Sequence, residues 1–193
     1  MTASPPPLWD REFRLLFAAH ATSVTGTAVT AVALPLTALT TLGAGVFDAA
    51  LLAAAGQVPL LLLALPCGAL VDRARSKKAV MITCELVCAV AVGSVPLAAA
   101  AGVLALPQLY GVAFTLAAGS VVFQAAAGAF TPDLLGGERL VAGNGAMGMA
   151  GSVADVAGAP LAGALVAAAG AARALAADAV SYLAAALLLA HVR

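Results

Sequence analysis

Long apolar runs, broken at intervals of about a bilayer's width, set the pattern of this chain. They occupy roughly residues 15–41, 49–71, 79–100, 107–130, 141–169 and 174–191. Each falls near or above the ~17–25 residues that a helix needs to cross a bilayer. The interruptions carry turn chemistry: "LGAGVFD" at 42–48, a charged stretch at 72–78, "AGVLALP" at 101–107, "TPDLLGGER" at 131–139 and "GAAR" at 170–173. The runs are continuous rather than alternating and exceed the length of a barrel strand, so strands are not expected. The pattern predicts an all-α membrane protein with a tail over 1–14 and a six-helix transmembrane bundle over 15–193.

Composition agrees. The chain is 63% hydrophobic and 9% charged, whereas a soluble domain carries about 25% charged residues. There are too few polar side chains to clothe a soluble particle of this size, and the lipid bilayer is the expected partner. The net charge of +0 gives no reason to expect nucleic acid. The N-terminal segment contains prolines and charges, and the apolar run after it is too long for a signal-peptide core. Cys67, Cys84 and Cys88 lie in apolar stretches; Cys84 and Cys88 share a helix face, but no further ligands support a metal, and small apolar filler is the better reading.

The few charges are placed unevenly. Arg11, Arg14, Arg73, Arg75, Lys77, Lys78, Arg139 and Arg193 would all lie on one side of the membrane, leaving Arg173 on the other. By the positive-inside rule both termini and the turn at 72–78 are cytoplasmic, with Trp9 as an interfacial anchor.

Polar groups inside spans are costly in hydrocarbon and tend to face a cavity or another helix. At 100° per residue, His20, Ser23, Thr27 and Thr30 fall within an arc of about 80° on the first span, a stripe suited to line a central path. His20 is either a substrate or proton contact or a histidine bonded to a neighbouring helix. Asp155 sits mid-span with Asn144, Gly148 and Gly151 on its face, five residues before Pro160, whose missing N–H frees the Val156 carbonyl. A cation or proton site, a helix–helix hydrogen bond and exposure to water without a role are all open for Asp155. Glu85 and Asp178 are expected to pair structurally, and Gln57, Ser120 and Gln124 are weaker cavity candidates. Gly151, Gly158, Pro160 and Gly163 form a small-residue pattern suited to helix packing.

Other chemistries lack support. "GNGAMG" at 143–148 matches a dinucleotide fingerprint in letters, but it has no preceding strand, no βαβ unit and no acid about 20 residues on. No phosphate-binding Gly-Lys-Ser/Thr loop, nucleophile–base pair or zinc set occurs, so neither an enzyme nor a cofactor is expected.

The basic turn between the second and third spans, with Gly68, Asp72, Arg73 and Lys77 in the pattern Gly-x-x-x-Asp-Arg-x-x-x-basic, resembles the signature loop of the major facilitator superfamily. "REFRLLFAAHATSVTGTAVTAVALPLTAL", "LPQLYGVAF", "TPDLLGGERLVAGNGAMG" and "LAADAVSYLAAALLLAHVR" are similar to the efflux branch that contains the enterobactin exporter. The chain departs from the pattern at Arg75 and Ser76 in the loop, at Thr27 where that branch often has Asp, and at "GAPLAG" in span five; span four carries no arginine. The resemblance implies the N-terminal six-helix half of a twelve-helix carrier in the cell membrane. It would be an ion-gradient-driven exporter of a small molecule, drug or siderophore-like, with Gly68, Asp72, Arg73, Arg75 and Lys77 gating movement between halves. Its partner would be the missing second six-helix half, or a homodimer. The rival reading is a non-transporting half-carrier that acts as a membrane assembly partner.

Overall fold

The computed structural model describes residues 10–135 and 137–192, with side chains described except at 137 and 138. Trp9 and Arg193 lie outside the described residues. The chain forms α1 (Arg11–Leu42), α2 (Val46–Asp72), α3 (Lys77–Ala100), α4 (Leu106–Leu135), α5 (Gly137–Ala169) and α6 (Ala171–Ala190). All six are long and apolar enough to cross a membrane, and no strand occurs among the described residues.

Each helix begins before its apolar run, and capping groups support the extra residues at the starts of α1, α2 and α3. Asp10 caps α1, accepting a hydrogen bond from the Glu12 N–H at 3.2 Å, so Arg11–Arg14 are helical rather than tail. Ser76 does the same for α3 through the Ala79 N–H, also at 3.2 Å. Gly45 and Asp48 open α2, the Asp48 carboxylate accepting from the Gly45 N–H at 3.0 Å. The break expected over 131–139 is far shorter: α4 continues through Thr131, Pro132 and Asp133 to Leu135. α6 likewise begins at Ala171, immediately after Gly170, whose φ of 86° stops α5. Prolines sit inside five of the helices, at Pro35, Pro59, Pro66, Pro96, Pro132 and Pro160.

The packing has an internal repeat. α1 lies against α5 and α6, α4 lies against α2 and α3, and α3 lies against α6. Advancing every helix by three positions converts α1–α5 into α4–α2 and α1–α6 into α4–α3, and returns α3–α6 to itself. Because an odd number of spans separates the two triplets, they run in opposite senses, which makes the repeat an inverted one.

Small residues permit the closest approaches. A Cβ on Gly158 of α5 would fall on Ala28 of α1, and one on Gly26 of α1 would meet Ser181 and Asp178 of α6. Two apolar cores result. One, around Leu16, Ala19, Met81, Phe123, Ala126, Ala185 and Leu189, lies toward the end that carries the termini. The other, around Ala33, Leu34, Val92, Val95, Leu109, Val112 and Leu175, lies toward the opposite end. The polar residues of α1 fall between them, near the middle of the bundle.

Candidate functional site: a polar groove at mid-bundle

The layer between the two cores is hollow. A cavity of about 250 Å³ is lined by residues of α1, α3, α4, α5 and α6, among them His20, Ser23, Thr27, Glu85, Asp155 and Tyr182. It shares His20, Phe123, Gln124, Gly151 and Asp155 with a groove that continues past Asn144 and Thr131. On the other side it shares Thr27, Ala31 and Ser120 with a groove reaching Leu34 and Gln57. One continuous path therefore follows α1. Its walls are unequal: Ser23 and Glu85 are buried, whereas Ser120, Gln124 and Asp155 are exposed. The groove is deep at α3 and open at its rim on α4 and α5.

The stripe on α1 divides in two. His20, Ser23 and Thr27 face the cavity, with the His20 ring stacked parallel on Phe123 at 6.1 Å. The Thr27 hydroxyl donates to the Ser23 carbonyl at 3.0 Å and also meets the Tyr182 hydroxyl at 2.8 Å. Thr30 lines the groove beyond the cavity, while its hydroxyl is directed at α6 and donates to Asp178 Oδ2 at 2.5 Å. Ser181 donates to Asp178 Oδ1 at 2.9 Å. Both oxygens of this fully buried carboxyl are thus occupied, as expected of a structural acid.

Glu85 behaves differently. It is 2% exposed on the cavity wall, the Ser23 hydroxyl approaches its carboxyl, and its Oε2 has no hydrogen-bond partner among the described residues. Structural pairing, expected for both buried acids, therefore holds for Asp178 and leaves one oxygen of Glu85 out. The sequence offered one clue, an acid in a continuous apolar run; its unequal satisfaction depends on which helix faces it.

Asp155 lines the groove with Asn144, Gly148 and Gly151, so the face read from spacing is assembled as a surface. Of the residues assigned to packing, Gly158 alone makes a close approach. Gly151 and Gly163 have open space where a Cβ would sit, and Pro160 is exposed.

The basic turn is tied to the bundle by its lysines. Lys77 Nζ donates to the Ala129 carbonyl and to Asp133 Oδ2, each at 2.8 Å, near the end of α4. Lys78 Nζ donates to the Ala190 carbonyl at 3.0 Å and to that of Val192, at the end of α6. The Lys78 cation complements the negative end of α6. Asp72, Arg73 and Arg75 are exposed, and Gly68 has open space where a Cβ would sit.

The sequence profile of the transmembrane secretion effector family matches residues 2–193. This chain belongs to that family. It is a multi-pass membrane transporter of the major facilitator superfamily. No curated protein matches the chain. In a transmembrane secretion effector the groove along α1 has an evident physical setting. It supplies a polar surface at the depth where the surrounding hydrocarbon is least tolerant of one, and its open rim lies on α4 and α5.

Proposed function

We propose that the chain acts as one half of an alternating-access exporter. Its termini and the turn at 73–76 face the cytoplasm of a cell-membrane carrier, and a small molecule leaves along α1 under an ion gradient. The observation that carries this reading is the one-sided groove: buried polar groups on α1 and α3, exposed ones on α4 and α5, and no lid over them within the described residues. Carriers built from inverted repeats bind substrate near the midplane between two bundles that rock against each other. A second six-helix unit, on the same chain or another, or a second copy of this one, would complete the path.

In this reading His20, Ser23, Thr27 and Asp155 form the substrate or proton path, while Thr30 holds α6 in place through Asp178. Gly68, Asp72, Arg73 and Arg75 meet the opposite half when the cytoplasmic side closes, and Lys77 anchors the turn to α4. Support for that division comes from exposure: Gly68, Asp72, Arg73 and Arg75 are exposed, and Gly68 has open space where a Cβ would sit.

The test is flux in sealed vesicles with an imposed pH gradient. Residues 1–193 assembled with a complementary six-span unit, or as a dimer, should move solute. Material shown by single-molecule photobleaching to be monomeric should not. Gradient-driven uptake by the monomer would overturn the half-carrier reading.

A further inference from the structure

We infer that the cavity between α1, α3 and α4 is a binding site for a small organic cation, an amine or quaternary ammonium carrying an apolar or aromatic group, with Glu85 as its counter-ion. The inference rests on the groove being the substrate path and names the class of molecule it takes.

The decisive feature is the imbalance of partners around the buried acids. Asp178 has both oxygens occupied, by Thr30 and Ser181. Glu85 Oε2, equally deep, has none. A buried carboxylate with an oxygen left unpartnered is unfavourable by several kcal/mol unless a proton, a cation or a further hydrogen-bond donor neutralises it. The Ser23 hydroxyl approaches the Glu85 carboxyl, but no fixed cation among the described residues does. No lysine or arginine lines the cavity. Those described, Arg11, Arg14, Arg73, Arg75, Lys77, Lys78, Arg139 and Arg173, all lie at helix ends.

The remaining wall matches a cation with an apolar body. The parallel His20–Phe123 pair and Tyr182 present aromatic surface, on which a cation is attracted to within about 6 Å of a ring centre. Val24, Ala28, Ala31 and Gly119 supply an apolar lining. Asp155 at the rim adds a second acid on the way in. An anionic solute would meet two carboxylates and no fixed positive charge, so this wall selects against siderophore-like acids.

The test uses benzyltrimethylammonium, which holds its charge at every pH, its uncharged carbon isostere neopentylbenzene, and phenylmethanesulfonate. Binding is measured by titration calorimetry on the full chain in lipid nanodiscs. The ammonium should bind about tenfold or more tighter than the isostere, and Glu85→Gln should remove that advantage. A second readout needs no variant: the ammonium should slow alkylation of Cys84, on the same cavity wall, as followed by site-resolved mass spectrometry, and the sulfonate should not. Equal binding of ammonium and isostere, undiminished binding to Glu85→Gln, or unchanged Cys84 alkylation would overturn the assignment. Binding without vesicle flux would leave the cation site standing and remove the transport reading. Flux of uncharged solutes without ammonium binding would do the reverse.

Discussion

Thr30 on α1 and Asp178 on α6 share a 2.5 Å hydrogen bond inside the bundle, and Ser181 closes on the other carboxyl oxygen at 2.9 Å. Seven residues earlier on α1, Ser23 approaches Glu85, whose Oε2 is left without a partner. One acid holds two helices together; the other faces a cavity. Their neutral variants should therefore diverge. Asp178→Ala strands the Thr30 hydroxyl, leaves Ser181 only the backbone carbonyl of residue 178 as acceptor, and should lower stability by about 1–2 kcal/mol. Glu85→Gln removes an unpaired buried acid and should leave stability unchanged or raised. Thermal unfolding in detergent separates the two cases.

Gly158 and Gly163 make a similar contrast on α5. A methyl at Gly158 would overlap Ala28, whereas one at Gly163 meets nothing within 4 Å. Gly158→Ala should cost about 1–3 kcal/mol through overpacking. Gly163→Ala should be neutral or stabilising by up to about 1 kcal/mol, since alanine favours the helix. The same unfolding measurement checks both, and a large loss at Gly163 would mean that another bundle packs there.

Lys78 holds the last carbonyls of α6, and Lys77 those near the end of α4. Lys78→Met should speed amide exchange over the final turn of α6 while leaving α4 unchanged, and Lys77→Met should do the opposite. Hydrogen–deuterium exchange of the reconstituted chain reads both. The stability change should be small, about 1 kcal/mol or less, because the Lys77–Asp133 ion pair is partly exposed.

The basic residues share the end of the bundle with the termini, leaving Arg173 at the other. If that end is cytoplasmic, single cysteines replacing Gly45 or Leu104 should react with an impermeant thiol reagent applied to intact cells, in a background lacking Cys67, Cys84 and Cys88. One replacing Ser76 should not. Labelling at Ser76 would reverse the orientation.

Protons compete with a bound cation for the same carboxylate, so benzyltrimethylammonium affinity should fall as pH is lowered. The groups that titrate around the cavity are His20 on α1, Cys84, Glu85 and Cys88 on α3, Asp155 on α5, and Asp178 and Tyr182 on α6; α4 contributes none to its wall. A protonated His20 would add to the loss. The dependence should survive in His20→Gln and vanish in Glu85→Gln, which identifies the responsible group by calorimetry across pH.

The number of spans, their order and the end that carries the basic turn are local properties of this chain. A helix crosses a bilayer because about 20 successive residues are apolar, and capping residues such as Asp10 and Ser76 act within a turn of their own position. The face shared by His20, Ser23 and Thr27 also follows from helical geometry alone. Partnership does not. Thr30 belongs to the same arc, yet it turns to Asp178, 148 positions away. Glu85 and Asp178 look alike as acids in apolar runs, and only the neighbouring helices decide that one is satisfied and the other is not. The same holds for the glycines of α5: spacing places Gly151, Gly158 and Gly163 on one helix, and the crossing with α1 selects Gly158. Hydrogen bonds and close packing depend on ångström-scale approach between helices, which the sequence of one helix does not contain.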